Sequence, residues 1–186
     1  LQFDLTGGIT NGMNATHVLG QPDFVTSAPG FPLTATNLYY PVSVEADSTG
    51  RVFVADRIIN RVLVYDASTI TEPEAAVNLL GEPDFITFTG GGVSATKFST
   101  PIRVRATASG DKLFVMDSAN RAKMYDSTGI TDNEPAVEVI GQVLSDGTPV
   151  FTTQGADNFQ NVQTGPSASG QSSPEDILLD TAGERL

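Results

Sequence analysis

Three passages of this chain recur at an interval of about sixty residues, and that period leaves few ways for it to fold. Ile9-Thr10 leads to Gly20 and then to Gln21-Pro22-Asp23-Phe24. Ile70-Thr71 leads to Gly81 and Glu82-Pro83-Asp84-Phe85, and Ile130-Thr131 leads to Gly141 and Gln142. The three glycines lie 61 and 60 positions apart, and each follows its isoleucine by 11. A long fixed period means one supersecondary unit that buries its apolar surface against neighbouring copies.

Within a unit the period drops to two. Val42-Ser43-Val44-Glu45-Ala46 alternates apolar and polar, as a strand with one buried face does. Asp47-Ser48-Thr49-Gly50 is a turn, and Arg51 to Ala55 and Arg61 to Tyr65 are apolar strands joined through Asp56 to Asn60. A polar loop from Asp66 to Glu74 precedes a fourth strand at Ala76 to Leu80. The next copy repeats the pattern at Ile102–Ala106, Leu113–Met116, Ala122–Tyr125 and Ala136–Ile140. Four short antiparallel strands per repeated unit predict an all-β chain built as a β-propeller, one blade per unit. Blade boundaries fall near 20/41, 81/101 and 141/174, with residues 1–186 in a single propeller domain. Phe3-Asp4 aligns with Tyr65-Asp66, and Pro174 to Gly183 aligns with Pro41 to Gly50. On this alignment two blades are full and two partial, and a cut through a buried strand predicts a piece of a longer chain.

These motifs resemble the NHL-repeat β-propellers, in the long-loop form of bacterial secreted proteins. The residues that carry the likeness are Gly-Gln-Pro-Asp-Phe, Thr34 to Pro41, Asp47 to Asp56 and Asn60 to Tyr65. The resemblance covers nearly the whole chain and implies a ring of about six blades. The third unit departs from it: Val143-Leu144-Ser145-Asp146 follows Gly141-Gln142, and Val104-Arg105-Ala106-Thr107 replaces the Asp-ended first strand. Some propellers of this type are amidating lyases that arrange several histidines around a metal. His17 is the only histidine of this chain, so that set is missing.

Composition narrows the partners. Asp and Glu number 22 against 10 Lys and Arg, a net charge of −12 that repels nucleic-acid backbones and anionic lipid. No apolar run is long enough to span a membrane as a helix. Cysteine is absent, which removes disulfides, thiolate metal sites and a cysteine nucleophile. Three lysines among abundant Thr, Ser, Gly and Asn fit an extracellular or cell-surface protein.

The motifs that resemble sites have plainer readings. Asp56, Asn60 and Arg61, with their copies Asp117, Asn120 and Arg121, predict turn caps with an arginine paired to the aspartate or a loop carbonyl. Asp23 and Asp84 predict turns, with Phe24 and Phe85 plugging the gap between blades. His17 is expected at an exposed strand position. Glu72, Glu74, Asp132 and Glu134 are expected in solvated loops without calcium-loop spacing. Ser and Thr lack a base partner, Asn14-Ala15-Thr16 fits a glycosylation acceptor by pattern alone, and no catalytic residue, metal or cofactor is implied.

One connection breaks the period. From the glycine to the next unit's proline the distance is 21, then 20, then 33. The extra residues lie between Val143 and Ser173, and Phe151, Asn158, Phe159 and Asn161 are the candidate partner-binding residues there. A drifted surface loop is the alternative. The expectation is a non-enzymatic binding or structural module for a protein or glycan, or for further copies of itself in a surface assembly or filament. A different class stays open: a propeller hydrolase or lyase with its catalytic residues in blades outside this chain.

Overall fold

A computed structural model describes residues 1–27, 30–68, 70–141, 150–152 and 176. Its strands form two four-stranded antiparallel sheets, and a 3-10 turn spans Ser127–Gly129. The first runs β1 (Pro41–Ala46), β2 (Arg51–Asp56), β3 (Arg61–Asp66) and β4 (Asn78–Leu80), and its spatial order is the chain order. The second repeats it with β5 (Pro101–Ala106), β6 (Lys112–Asp117), β7 (Arg121–Asp126) and β8 (Glu138–Ile140). The all-β expectation therefore holds, and so does the division into like units of four strands. Even a register irregularity is copied, between Pro41 and Ser43 in β1 and between Pro101 and Arg103 in β5. Proline lacks an N–H, so it is tolerated at the start of an edge strand.

The fourth strands are shorter than the alternation predicts. Ala76 donates its N–H to the Ala35 carbonyl and Ala136 donates to Ala95, so each ladder starts two residues later. Before the first sheet, the described residues form an isolated bridge between Gln2 and His17.

The main core lies between the sheets. Phe53, Ala55, Val62, Val64 and Leu80 of the first meet Val104, Leu113, Val115 and Tyr125 of the second, and edge strand β1 lies against edge strand β5. Phe98, fully buried in the connection between them, fills the junction, with its ring 6.2 Å from that of Tyr125. Burying such a side chain contributes about 2–3 kcal/mol. Phe24 and Phe85 do not plug this gap: Phe24 is half exposed, and Phe85 packs at the edge of the smaller cluster around Leu38, Leu63 and Tyr65. The difference is one of place in the connection: Phe24 and Phe85 follow the turns closed by Asp23 and Asp84, whereas Leu38 and Phe98 stand three residues before the prolines that open β1 and β5.

Candidate functional site

Each sheet keeps a buried ion pair at one end. Arg61 and Asp56, five residues apart across the β2–β3 hairpin, are both fully buried, with Nε 3.2 Å from Oδ2. The guanidinium also donates to the carbonyls of Asn37 at 2.8 Å and Phe85 at 3.1 Å. Asp56 in turn accepts from the N–H groups of Tyr39 and Tyr40. Four backbone groups of the incoming and outgoing connections are thus tied to one hairpin. Asn60 closes that hairpin at φ +58, a left-handed conformation that Asn tolerates, and its Oδ1 accepts the Thr100 N–H at 2.8 Å. Arg121 and Asp117 repeat the arrangement, with Arg121 donating to Lys97 and Phe151 carbonyls.

That duplication relocates one predicted binding residue. Phe151 occupies the role of Phe85: its carbonyl caps the buried arginine and its ring packs against the main core. The third unit therefore recovers its anchor ten positions after Gly141, inside the insertion. Asn158, Phe159 and Asn161 lie outside the described residues.

The acidic loops also have structural work. Glu72 accepts the Val18 N–H at 2.9 Å, and Asp132 accepts the Leu79 N–H and the Asn78 side-chain amide, each at 3.1 Å. Asn133 donates its N–H to the Leu79 carbonyl. The acid of one unit thereby caps the outer edge of the unit before it, which leaves that strand fewer unpaired groups. Glu74 and Glu134 each accept from the backbone and hydroxyl of the threonine three residues earlier. Glu72 and Asp132 are thus latches between units while Glu74 and Glu134 close turns within their own, and all four stay in loops with Glu72 and Asp132 exposed, as expected. Asp132→Ala should cost about 1–2 kcal/mol through the uncapped Leu79 amide, read as a lower urea midpoint with unchanged slope.

Asp23 and Asp84 behave as expected of turns. Each accepts two backbone N–H groups, and hydrogen bonds from Thr26 and Thr87 hold their carboxyls below the usual range. His17 is half-buried rather than exposed, and its Nδ1 is enclosed without a hydrogen-bond partner among the described residues. Along the edge strands Arg105 bridges Glu45 at 3.4 Å and Asp176 at 2.9 Å, and Arg103 meets Asp176 at 3.4 Å. These pairs are partly exposed and worth little each. They show that the departures at 103 and 105 were put to use between units.

The chemistry that repetition leaves unexplained gathers in the second connection. Position 82 is Glu where 21 and 142 are Gln, position 97 is Lys where 37 is Asn, and position 123 is Lys where 63 is Leu. The structure links all three. Glu82, fully buried, accepts from the N–H and hydroxyl of Thr89, and the Lys97 ammonium donates to that same hydroxyl at 3.1 Å. Lys123, also fully buried, donates to the Lys97 carbonyl and lies 4.5 Å from the centre of the Phe98 ring. Burial, reinforced by the positive charge of Arg121 and only partly offset by Asp117, pushes the Lys123 amine down to about 7. One Glu82 oxygen, Oε1, has no partner among the described residues. Glu82→Gln, restoring the residue of the other units, should raise stability by about 1–2 kcal/mol in thermal or urea unfolding by removing that buried charge.

Sequence reasoning passed over this cluster because each residue alone is unremarkable. The available signal was that two positions of one connection, 82 and 97, and one of the strand β7, 123, all changed to ionisable types. Among the described residues no three His, Asp or Glu side chains converge as a metal site would require, and no helix is long and apolar enough to cross a membrane. The chain matches no family model and no curated protein.

Proposed function

We propose that the two sheets are successive blades of an extracellular β-propeller of the NHL-repeat type, serving as a non-enzymatic module that binds a protein or glycan through its inter-blade loops. The observation that carries this reading is the way one sheet seats the next. Val104 on β5 is fully buried against the first sheet, while its counterpart Val44 on β1 is 63 % exposed. Beside Val44 lies a cavity of about 400 Å³, lined by Leu1, Val42, Val52 and Val54 among others. A further sheet of the same kind would cover it as the first covers Val104. The latches support the same reading, because Glu72 and Asp132 each reach back to the preceding unit by the same bond. The repeated carboxylates and arginines are committed to those bonds, which leaves recognition to the loops.

Electron microscopy and solution mass on the native full-length polypeptide test the architecture. A closed ring of about six four-stranded blades is expected; an open stack of sheets would sink it. Turnover of a hydrolase or lyase substrate by that ring would overturn the non-enzymatic half of the reading and leave the architecture standing.

A further inference from the structure

We propose that Lys123 makes the junction between the two sheets an acid-sensitive clasp, in which charging the buried amine favours release of the connection running from Glu82 to Phe98.

Geometry is the first support. Lys123 stands on β7 opposite Val115 of β6 and Val139 of β8, at the place where the sister strand β3 puts Leu63. The side chain is fully enclosed, and what encloses it is the connection itself: the Lys97 carbonyl takes its hydrogen bond and the Phe98 ring lies over it. Lifting that connection is therefore the shortest route by which water reaches the amine. The connection includes Gly90, Gly91 and Gly92, which resist bending little. It is also where Ile86 and Phe88 are already exposed.

Charge is the second. The titratable groups around the amine are Arg121 and the buried Tyr125 on its own strand, Asp117 on β6, Lys97 and Glu82 in the connection, and Glu138 on β8, which is exposed. Asp117 is already spent on Arg121, with bonds at 3.2, 3.1 and 2.9 Å, and Glu82 on Thr89. A full ammonium here is thus buried beside another cation with no carboxylate of its own. The carbonyl and the ring offset part of that cost and water would offset more.

The direction with pH follows from linkage. The amine titrates at about 7 when closed and at 10.5, the value for free lysine, when opened into water. Between those limits the open form holds more protons, so closure strengthens as pH rises from about 7 towards 10.5. As pH falls through that window the advantage is lost, and below about 7 it is gone. The greatest slope is about tenfold in the opening constant per pH unit.

¹³Cε-labelled lysine in the full-length protein, with the Lys123 signal assigned by its loss in a Lys123 variant, is expected to show Lys123 titrating near pH 7; a midpoint close to 10.5 overturns the clasp. Amide exchange, with intrinsic rates divided out, should show the protection of Gly92, which donates to the Phe98 carbonyl, and Ser99, which donates to Asp117, rising up to about tenfold per pH unit above 7. Lys123→Leu, the residue of the sister strand, should abolish that dependence, and Lys123→Met serves if the leucine variant does not fold. An unchanged dependence in the variant that folds rules the clasp out. So does an equal dependence at Val54 and Leu63 in the first sheet, which would mean whole-domain opening.

Discussion

Replacing Arg61 with methionine should destabilise the protein by about 3–5 kcal/mol, although Arg61 lies outside the apolar core. The guanidinium is fully buried and donates to Asp56 and to the carbonyls of Asn37 and Phe85. Methionine matches its volume but leaves a buried carboxylate short of its counter-charge and two carbonyls without their donor. Buried ion pairs elsewhere can often be replaced as a pair at little cost. That escape is closed here. Asp56 also accepts from Tyr39 and Tyr40, so changing it to leucine together with Arg61→Met strands those two amides as well. The double variant should therefore be no more stable than Arg61→Met alone. Urea unfolding at neutral pH decides it, and a double variant that recovers most of the loss would show that the pair, not the network, is what Arg61 serves. Arg121→Met should behave alike, because its contacts are copies of these.

The strands and their order were legible because a half-buried strand writes a period of two, as Val42 to Ala46 does, and a strand buried on both faces writes a near-continuous apolar run, as Arg51 to Ala55 does. Asp56, Asn60 and Arg61 were legible as a turn for a similar reason: each residue type has a local bond it makes well. What could not be read were bonds that cross between units. Glu72 and Asp132 have the composition of a solvated loop, and nothing local says that the Val18 and Leu79 amides lie 54 and 53 positions back along the chain. Phe98 and Phe85 are the same residue type near connecting turns, and only their places in the connection set the buried Phe98 apart. The third unit departs from Pro-Asp-Phe after Gly141, yet Phe151 restores the anchor further on. Lys123 was a different kind of miss. Its alignment with Leu63 was visible, but a lone lysine on a strand is usually drawn outward.

Gly81→Ala tests the recurrent glycine from which the period was read, and it should cost about 3–5 kcal/mol. Two independent penalties add. The backbone at Gly81 has φ +97, a region where a Cβ is strained in any surroundings. The space is also taken, since a Cβ would come within 2.4 Å of both the Asn60 carbonyl oxygen and the Phe98 ring. Gly20 meets the same constraint in the unit before, with φ +83 and a Cβ 2.5 Å from Leu38. Truncating the ring in a Gly81→Ala, Phe98→Ala variant would relieve one contact only. The Asn60 oxygen belongs to the hairpin that Arg61 and Asp56 hold, and it cannot retreat. The combined variant should thus be less stable than Phe98→Ala alone by at least about 1–2 kcal/mol. Gly129→Ala is the control: no atom lies within 4 Å of its added carbon and its φ is not positive, so little change is expected. Thermal unfolding that ranks Gly81→Ala beside Gly129→Ala would mean that the turn moves aside. The thrice-repeated glycine would then mark descent from one unit rather than a shape each junction requires.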